Sequence, residues 1–413
     1  ARELGTDLFG GRVLGRPTIF MTGPGAAELF YDSARFRRAG AVPARVQKTL
    51  IGSGGVQTLD GPAHRARKAL FMQLMTRENM ALFRALSARS WAEAIDDWTD
   101  RARVSLFEEA RFVLCRAACT WAGVPVSAER ARQLAGWVHD MVDGFASIGQ
   151  RSLRARWARR RAESWACRVI ADVRHGRRQP PPMTAARVFA EADANGRRLP
   201  LRVAAVELLN IVRPITAIAW WVAFLALALR DHAPNSGALA HDNALLESFV
   251  QEVRRFYPFT PFLGARPSHA FEWRGAKFEP RQLVLLDVYG TLHDPRLWEQ
   301  PEQFRAQRFI GREPTPFDLI PNGGGDFMGG HRCAGEQMTI DALCQAAHVL
   351  VREVEYALPP QDLSFSLARI PTRPASGVLL EGVRRRAGRP QRLELALQRD
   401  FDGRFDTAGP VSH

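Results

Sequence analysis

The residues with the clearest chemical potential stand between Pro321 and Glu336, in PNGGGDFMGGHRCAGE. Cys333 follows a glycine-rich loop and precedes a helical run, EQMTIDALCQAA, that starts at Glu336. A thiolate at a helix start gains from the free N–H groups and the positive end of the helix. The glycines upstream let the backbone approach something flat and wide. Cysteine thiolate is one of the few side chains that bind haem iron axially, and it pushes electron density onto the metal to favour O–O cleavage. Read in isolation, the loop fits a buried helix-capping cysteine equally well.

Four other constellations could carry function. In QEVRR, Glu252 and Arg255 are three apart on one helix face and can pair, which on its own is also the pattern of an ordinary surface salt bridge. Further on, PEQFRAQRF places Arg308 among aromatics. In NIVRPIT, residues 210–216, Arg213 and Pro214 interrupt an apolar run. A mid-helix proline costs about 3 kcal/mol and one backbone hydrogen bond. An arginine there is expensive unless an anion meets it. Either a protein carboxylate pairs with Arg213, or the anion is a substrate carboxylate held in a bidentate fork. Finally, His64 and Lys68 share a helix face by their i,i+4 spacing, which alone describes any basic face.

The elements that must position these residues are mostly helical. Apolar residues recur at three- and four-residue spacing over Asn79–Trp98, Leu106–Ala122, Ser127–Phe145, Leu153–Val173, Leu201–Leu229 and Asn243–Phe256. Gly176–Pro182 reads as a linker, and Pro258 stops the helix ending near Phe256. Strand patterns are few: Thr18–Thr22, Lys277–Phe278 pairing across a turn with Leu283–Val288, and Gly377–Leu380. No internal repeat or boundary divides the chain, so the expectation is one mainly α domain over 1–384 and a loose tail over 385–413.

Composition narrows the classes. The chain has 413 residues, 46% hydrophobic, enough for a large core. Its five cysteines lack paired spacing, which argues for a reducing compartment and against a disulfide framework or zinc site. Cys115 and Cys119 read as core. The net charge of +14 is almost wholly arginine, densest over Arg151–Arg161 on a stretch that reads as an exposed helix. No nucleic-acid-binding signature accompanies it, so a solvated basic surface is expected rather than a nucleic-acid partner. No signal peptide is recognised at ARELG, and Ile215–Leu229 is too short for a comfortable membrane span and reads as a buried helix.

Taken in order, Glu252…Arg255, the Arg308 segment and the cysteine loop resemble the cytochrome P-450 haem-thiolate superfamily, over about Thr18 to Gly382. The resemblance implies a P-450 fold and haem b, with Cys333 as axial ligand to the iron. It also implies a buried Glu252–Arg255–Arg308 network that holds the cysteine loop, and propionate contacts from His64, Lys68 and His331. Two departures stand out. Asp326 occupies a position where the superfamily usually has phenylalanine, and Arg213-Pro214 stands where oxygen-activating members carry an acid–threonine pair. Thr216 lies beyond the proline without an adjacent acid.

The Arg-Pro pair, QEVRRFYPFTPF, LDVYGTLHDPRLW and the GGG loop closely resemble the bacterial fatty-acid peroxygenase branch. That resemblance implies hydrogen peroxide as oxidant, no redox partner, and hydroxylation of a fatty acid at Cα or Cβ. Arg213 and Pro214 would set the substrate carboxylate as general acid and base, with Gln57 on the distal side. Relatives that favour terminal alkenes tend to have histidine at the position of Gln57, so hydroxy acids are expected here. Ile51 replaces a common phenylalanine, and Phe259 and Phe262 are candidate pocket walls. A cytoplasmic bacterial enzyme is expected. The alternatives are a redox-partner-dependent P-450 monooxygenase, which the missing acid–threonine pair disfavours, and a haem sensor, which would usually append a second domain.

Overall fold

The computed structural model describes residues 6–13, 15–194, 196–233 and 237–386. Long helices dominate it, and several begin where a side chain can cap free backbone N–H groups. Thr76 accepts from Asn79 N at the start of Arg77–Trp98, Ser127 from Arg130 N before Ala128–Gly144, and Asp242 from Leu245 N before Asn243–Phe256. The remaining long helices are Gly61–Met72, Leu106–Trp121, Gln150–Arg174 and Glu336–His348. All lie within two or three residues of the periodicity boundaries where those were drawn. Cys115 and Cys119 are fully buried in the helical core, which also takes up Trp91, Trp98, Trp220 and Trp221. Burying an aromatic side chain of this size stabilises the fold by roughly 1.5–3 kcal/mol.

The central apolar run forms two helices, Leu201–Ala217 and Ala219–His232, rather than one. Pro214 has no N–H to offer the carbonyl one turn back. The chain stays helical through it and then tightens, with Ile218 N donating to Ile215 O at 3.2 Å. Taken together, Leu201–His232 is long and apolar enough to cross a membrane, but 94% of its apolar 18-residue window is buried against the protein's own helices. It is the core of the helical layer.

A five-stranded sheet lies beside the helices, in the order Leu8–Val13, Arg16–Met21, Leu283–Asp287, Phe262–Pro267, Phe36–Arg37. Arg16–Met21 runs parallel to Leu283–Asp287, with Ile19 opposite Val284, and the other pairings are antiparallel. A second, smaller core of Met21, Phe30, Phe36, Phe278 and Trp298 fills one side of this sheet.

Two strand expectations are corrected. Ala276–Phe278 pairs with Phe271–Trp273, while Leu283–Asp287 is inserted between Arg16–Met21 and Phe262–Pro267. The buried Val284 and Leu286 face the sheet core, and partners distant in sequence satisfy their backbone. The last strand is Leu379–Arg385, not Gly377–Leu380. Gly377 adopts φ 74°, a left-handed turn conformation that precedes the strand. That strand carries order to Arg385, one residue past the expected domain end. The rest of the expected tail, from residue 387 on, lies outside the described residues.

Candidate active site

Cys333 sits three residues before the Glu336–His348 helix, on a loop pinned from two sides. Its N–H donates to the Asn322 carbonyl at 3.0 Å, and its carbonyl accepts from Glu336 N at 3.3 Å. Burial pushes the thiol above its ordinary range, against the Gly335 N–H, Lys68 and the Asn322 side chain, which favour the thiolate. A cation at the sulfur would reverse that balance.

The clamp on this loop is Arg254, a residue the sequence reading passed over. It is fully buried, and its Nη2 donates to Glu336 Oε1 at 2.7 Å and to Asn322 Oδ1 at 2.8 Å. Arg332 grips the other Glu336 oxygen at 2.6 Å. The expected network of Glu252, Arg255 and Arg308 is present and buried, with Arg255 bidentate at 2.8 Å and Arg308 Nε at 3.0 Å from both carboxylate oxygens. Its remaining donors go to the carbonyls of Leu292, Glu299, Gln300, Pro301 and Gln303. The network therefore fixes the 292–308 segment, and Arg254 passes the constraint on to the cysteine.

Asp326, where an aromatic was expected, folds the loop. Its carboxylate accepts the N–H groups of Met328 at 2.9 Å and Gly329 at 3.0 Å. Phe327, one residue on, supplies an aromatic ring beneath Lys68, 5.7 Å from Nζ.

His64, Lys68 and His331 converge. The two imidazoles stack at 3.8 Å, and Lys68 is buried with its ammonium on the Arg332 carbonyl. Burial and mutual repulsion hold His64 near pKa 4, and burial also lowers Lys68. Asp60 is the carboxylate of this cluster, 3.5 Å from His331 Nε2. Burial opposes its ionisation, but hydrogen bonds from His331 and from the Arg38 and Ala39 N–H groups outweigh that and keep it near pKa 2. Two buried imidazoles and a buried ammonium, with Asp60, Asp326 and Glu336 acting on them, form a cluster of N–H donors, which suits a pair of propionates. Beside the thiol, a side chain placed on Gly335 would meet nothing nearer than Cys333 Sγ at 4.0 Å. Open space next to a sulfur donor, with the N–H donors of His64, Lys68 and His331 in the same region, fits haem.

Arg213 lies on the central helix, 8% exposed. Its Nη2 donates to Asn210 Oδ1 at 3.1 Å, while Nε is buried without a partner. Among the described residues no carboxylate pairs with it, which removes the reading of a kinked helix neutralised internally. Burial, then repulsion from Arg159, brings its pKa down to about 9, and attraction to Cys333 opposes that fall. An arriving anion would restore it. Thr216 spends its hydroxyl on the Val212 carbonyl at 2.8 Å.

A polar chain that periodicity cannot reveal orients Arg213. Asn210 Nδ2 donates to Glu207 Oε2 at 2.9 Å and to Gln57 Oε1 at 3.2 Å, and Arg67 Nη1 grips Glu207 Oε1 at 2.6 Å. A carboxylate only accepts and a guanidinium only donates, so the amide of Asn210 has one allowed orientation, oxygen toward Arg213. Glu207 is fully buried on the central helix. The helical spacing of 207, 210 and 213 is a signal that could have placed them on one face, but Arg67 and Gln57 come from distant parts of the chain. Glu207→Ala should lower stability by about 2–3 kcal/mol, because Arg67 loses its buried partner. It should also reduce kcat/KM roughly tenfold as Asn210 loosens, and Glu207→Gln should recover part of the second effect. Urea unfolding and steady-state kinetics measure both; unchanged kinetics in the alanine variant would remove Glu207 from the site.

Ile51 is buried at the end of a single π-helical turn, Gln47–Ile51. Phe259 stacks on Trp221 at 4.0 Å, whereas Phe262 is 39% exposed and meets Phe20 edge-on in the sheet. Phe262 is thus a sheet-surface residue and not an enclosed pocket wall.

A loop thiol at a helix start, the His64–Lys68–His331 cluster and a buried arginine on the central helix together fit a haem-thiolate protein. A family model described as Cytochrome P450 matches residues 228–369. The solved structure of Cytochrome P450SP alpha (CYP152B1) in complex with (R)-ibuprophen is 42% identical, with TM-score 0.90, covering 93% of this chain and 94% of that one. Cytochrome P450EX alpha (CYP152N1), solved with myristic acid, is 40% identical, with TM-score 0.90 and 93% of each chain covered. A variant of cytochrome P450 OleT in complex with arachidonic acid is 34% identical, with TM-score 0.91 and 94% of each chain covered. Curated relatives align over shorter stretches: Cytochrome P450 4e5, mitochondrial, of Drosophila mettleri is 30% identical over 28% of this chain, which spans 22% of that protein's length. The chain belongs to the cytochrome P450 family, on the CYP152 branch.

Proposed function

We propose that this protein is a hydrogen-peroxide-dependent fatty-acid hydroxylase of the bacterial cytoplasm, acting at Cα or Cβ with haem b and without a redox partner. The observation that carries the reading is Arg213: a buried guanidinium with an orphaned Nε and no protein carboxylate to meet it among the described residues. The CYP152 structures solved with myristic and arachidonic acid support a fatty acid as the missing anion.

Cys333 would hold the haem iron, and His64, Lys68 and His331 its propionates. When bound, that group supplies the redox chemistry by which one peroxide oxygen reaches carbon and the other leaves as water. The protein's part is placement. Nε of Arg213, which has no partner, and the second hydrogen of Nη2 on the same side of the guanidinium can form the fork for the carboxylate, while Asn210, set by Glu207 and Gln57, takes the first hydrogen of Nη2. A carboxylate held there can take a proton from one peroxide oxygen and return it to the other, work that an acid–threonine pair does elsewhere. Pro214 removes the N–H that would bond the Asn210 carbonyl.

Purified protein given peroxide and a long-chain fatty acid, without any reductase, should turn over; turnover only with a reductase and electron donor would overturn the reading. Pinning the carboxylate leaves Cα and Cβ as the reacting carbons. Gln57 is a neutral amide without a titration near pH 7, unlike an imidazole. Hence 2- and 3-hydroxy acids should exceed terminal alkene by about tenfold, which corresponds to about 1.4 kcal/mol between the two exits. Mass spectrometry of products from a saturated acid decides it, and alkene as the main product would reverse the role given to Gln57.

A further inference from the structure

The Gln150–Arg174 helix has a face that the active site does not use. Inward, it buries Ala155, Ala158, Arg159 and Ala162, and Arg159 donates to the Leu50 carbonyl at 2.8 Å. The expected exposed basic helix is thus exposed on one face only, with Arg159 on the buried one. Outward, Leu153 and Trp157, one turn apart, are 56% and 60% exposed, and Ile148 just before the helix is 81% exposed. At 100° per residue, Arg154 and Arg161 flank this apolar ridge on one side and Arg156 and Arg160 on the other. All four are at the surface, and no ion pair engages any of them among the described residues. A groove of about 580 Å³ between Trp137, Leu153, Arg154, Trp157 and Arg161 opens along the same face. Of the neighbouring acids, Asp140 lines the groove, with its pKa raised by burial against the attraction of Arg154, and Asp143 is committed to Arg151 and Arg369.

We propose that this face docks the protein on the surface of an anionic phospholipid bilayer. An apolar ridge carrying a tryptophan, bordered on both sides by arginines whose stems can lie along it, is the layout of a helix lying in a membrane interface. Exposed apolar side chains of this size serve no purpose for a phosphate backbone, which favours lipid over nucleic acid, and the exposed arginines complement an anionic headgroup layer. The loop leading into the helix joins this face to the site: Arg45 donates to the Ser147 carbonyl, and the segment from Ala44 runs through Ile51 toward Gln57. That docking would serve substrate uptake rests on the peroxygenase reading; the docking itself does not.

The test is co-sedimentation of the haem-loaded full chain with phosphatidylcholine vesicles, with and without phosphatidylglycerol, at physiological salt. The protein should sediment with the anionic vesicles and stay in solution with the neutral ones. Replacing Arg154, Arg160 and Arg161 by glutamine should weaken binding on the order of a hundredfold, as expected for three arginines near a charged surface. Leu153→Ser with Trp157→Ser should weaken it about tenfold or more. Both variants should keep the wild-type haem absorbance and the turnover of detergent-dispersed fatty acid, and lose turnover of acid presented in anionic vesicles. Equal sedimentation with neutral vesicles, or unaltered binding in both variants, overturns the proposal. So does duplex DNA binding that survives the serine substitutions, which makes the face a nucleic-acid surface, or a dimer in ultracentrifugation that they dissolve. A wild type that docks but never oxidises detergent-dispersed acid would fail the peroxygenase reading and leave this one standing.

Discussion

Arg213→Ala should lose peroxide-driven fatty-acid oxidation, with kcat/KM falling by about four orders of magnitude, while haem is still taken up. The size follows from two losses. A charge-assisted fork to the carboxylate contributes roughly 1.5–3 kcal/mol per hydrogen bond. Misplacing the acid–base group forfeits a further factor of about 10²–10⁴. Folding should survive, since the guanidinium is buried with its Nε unpaired and one hydrogen bond to Asn210, so its removal relieves desolvation. The wild type offers a complementary readout: a short carboxylic acid added with a neutral substrate should support its oxidation, because the acid can occupy Arg213 in place of the fatty acid. Undiminished fatty-acid turnover in Arg213→Ala would sink the substrate-assisted mechanism.

Cys333→Ala should abolish activity down to that of free haem and remove the red-shifted Soret band of the carbon monoxide complex that marks thiolate ligation. The other cysteines cannot substitute. Cys115, Cys119 and Cys344 are buried in the helical core, and Cys167 lies on the Gln150–Arg174 helix. The scaffold around the loop should persist, because Arg254, Asn322 and Glu336 do not use the thiol to hold one another. Retention of the red-shifted band in the alanine variant would assign the ligand elsewhere.

Where one physical signal dominates a segment, the sequence was sufficient. The helices over Arg77–Trp98, Leu106–Trp121 and Asn243–Phe256 are written in apolar spacing, and a cap residue stands before the first and the last. The Glu252–Arg255 pair is local, three residues apart, so helix geometry alone brings it together. Arg213-Pro214 is legible because an arginine and a proline in an apolar helix break two rules at once, and such breaks are expected at functional positions. Cys333 is legible because glycines and a helix start crowd around one thiol.

What the tertiary structure decided are the pairings whose members no local period connects. Leu283–Asp287 takes Arg16–Met21 and Phe262–Pro267 as neighbours, since its buried face must meet a core assembled from distant segments. Arg254 rather than Arg255 reaches the cysteine loop because adjacent helical residues point about 100° apart, and only the packing of Asn243–Phe256 against Glu336–His348 says which one faces it. The Arg67–Glu207–Asn210–Gln57 chain spans three separate elements, and each of its members alone reads as an ordinary polar residue. Residue type and spacing thus determined which groups could do chemistry. Burial, which strips Arg213 of every carboxylate among the described residues and leaves it waiting for one, was decided by the way the helices close around it.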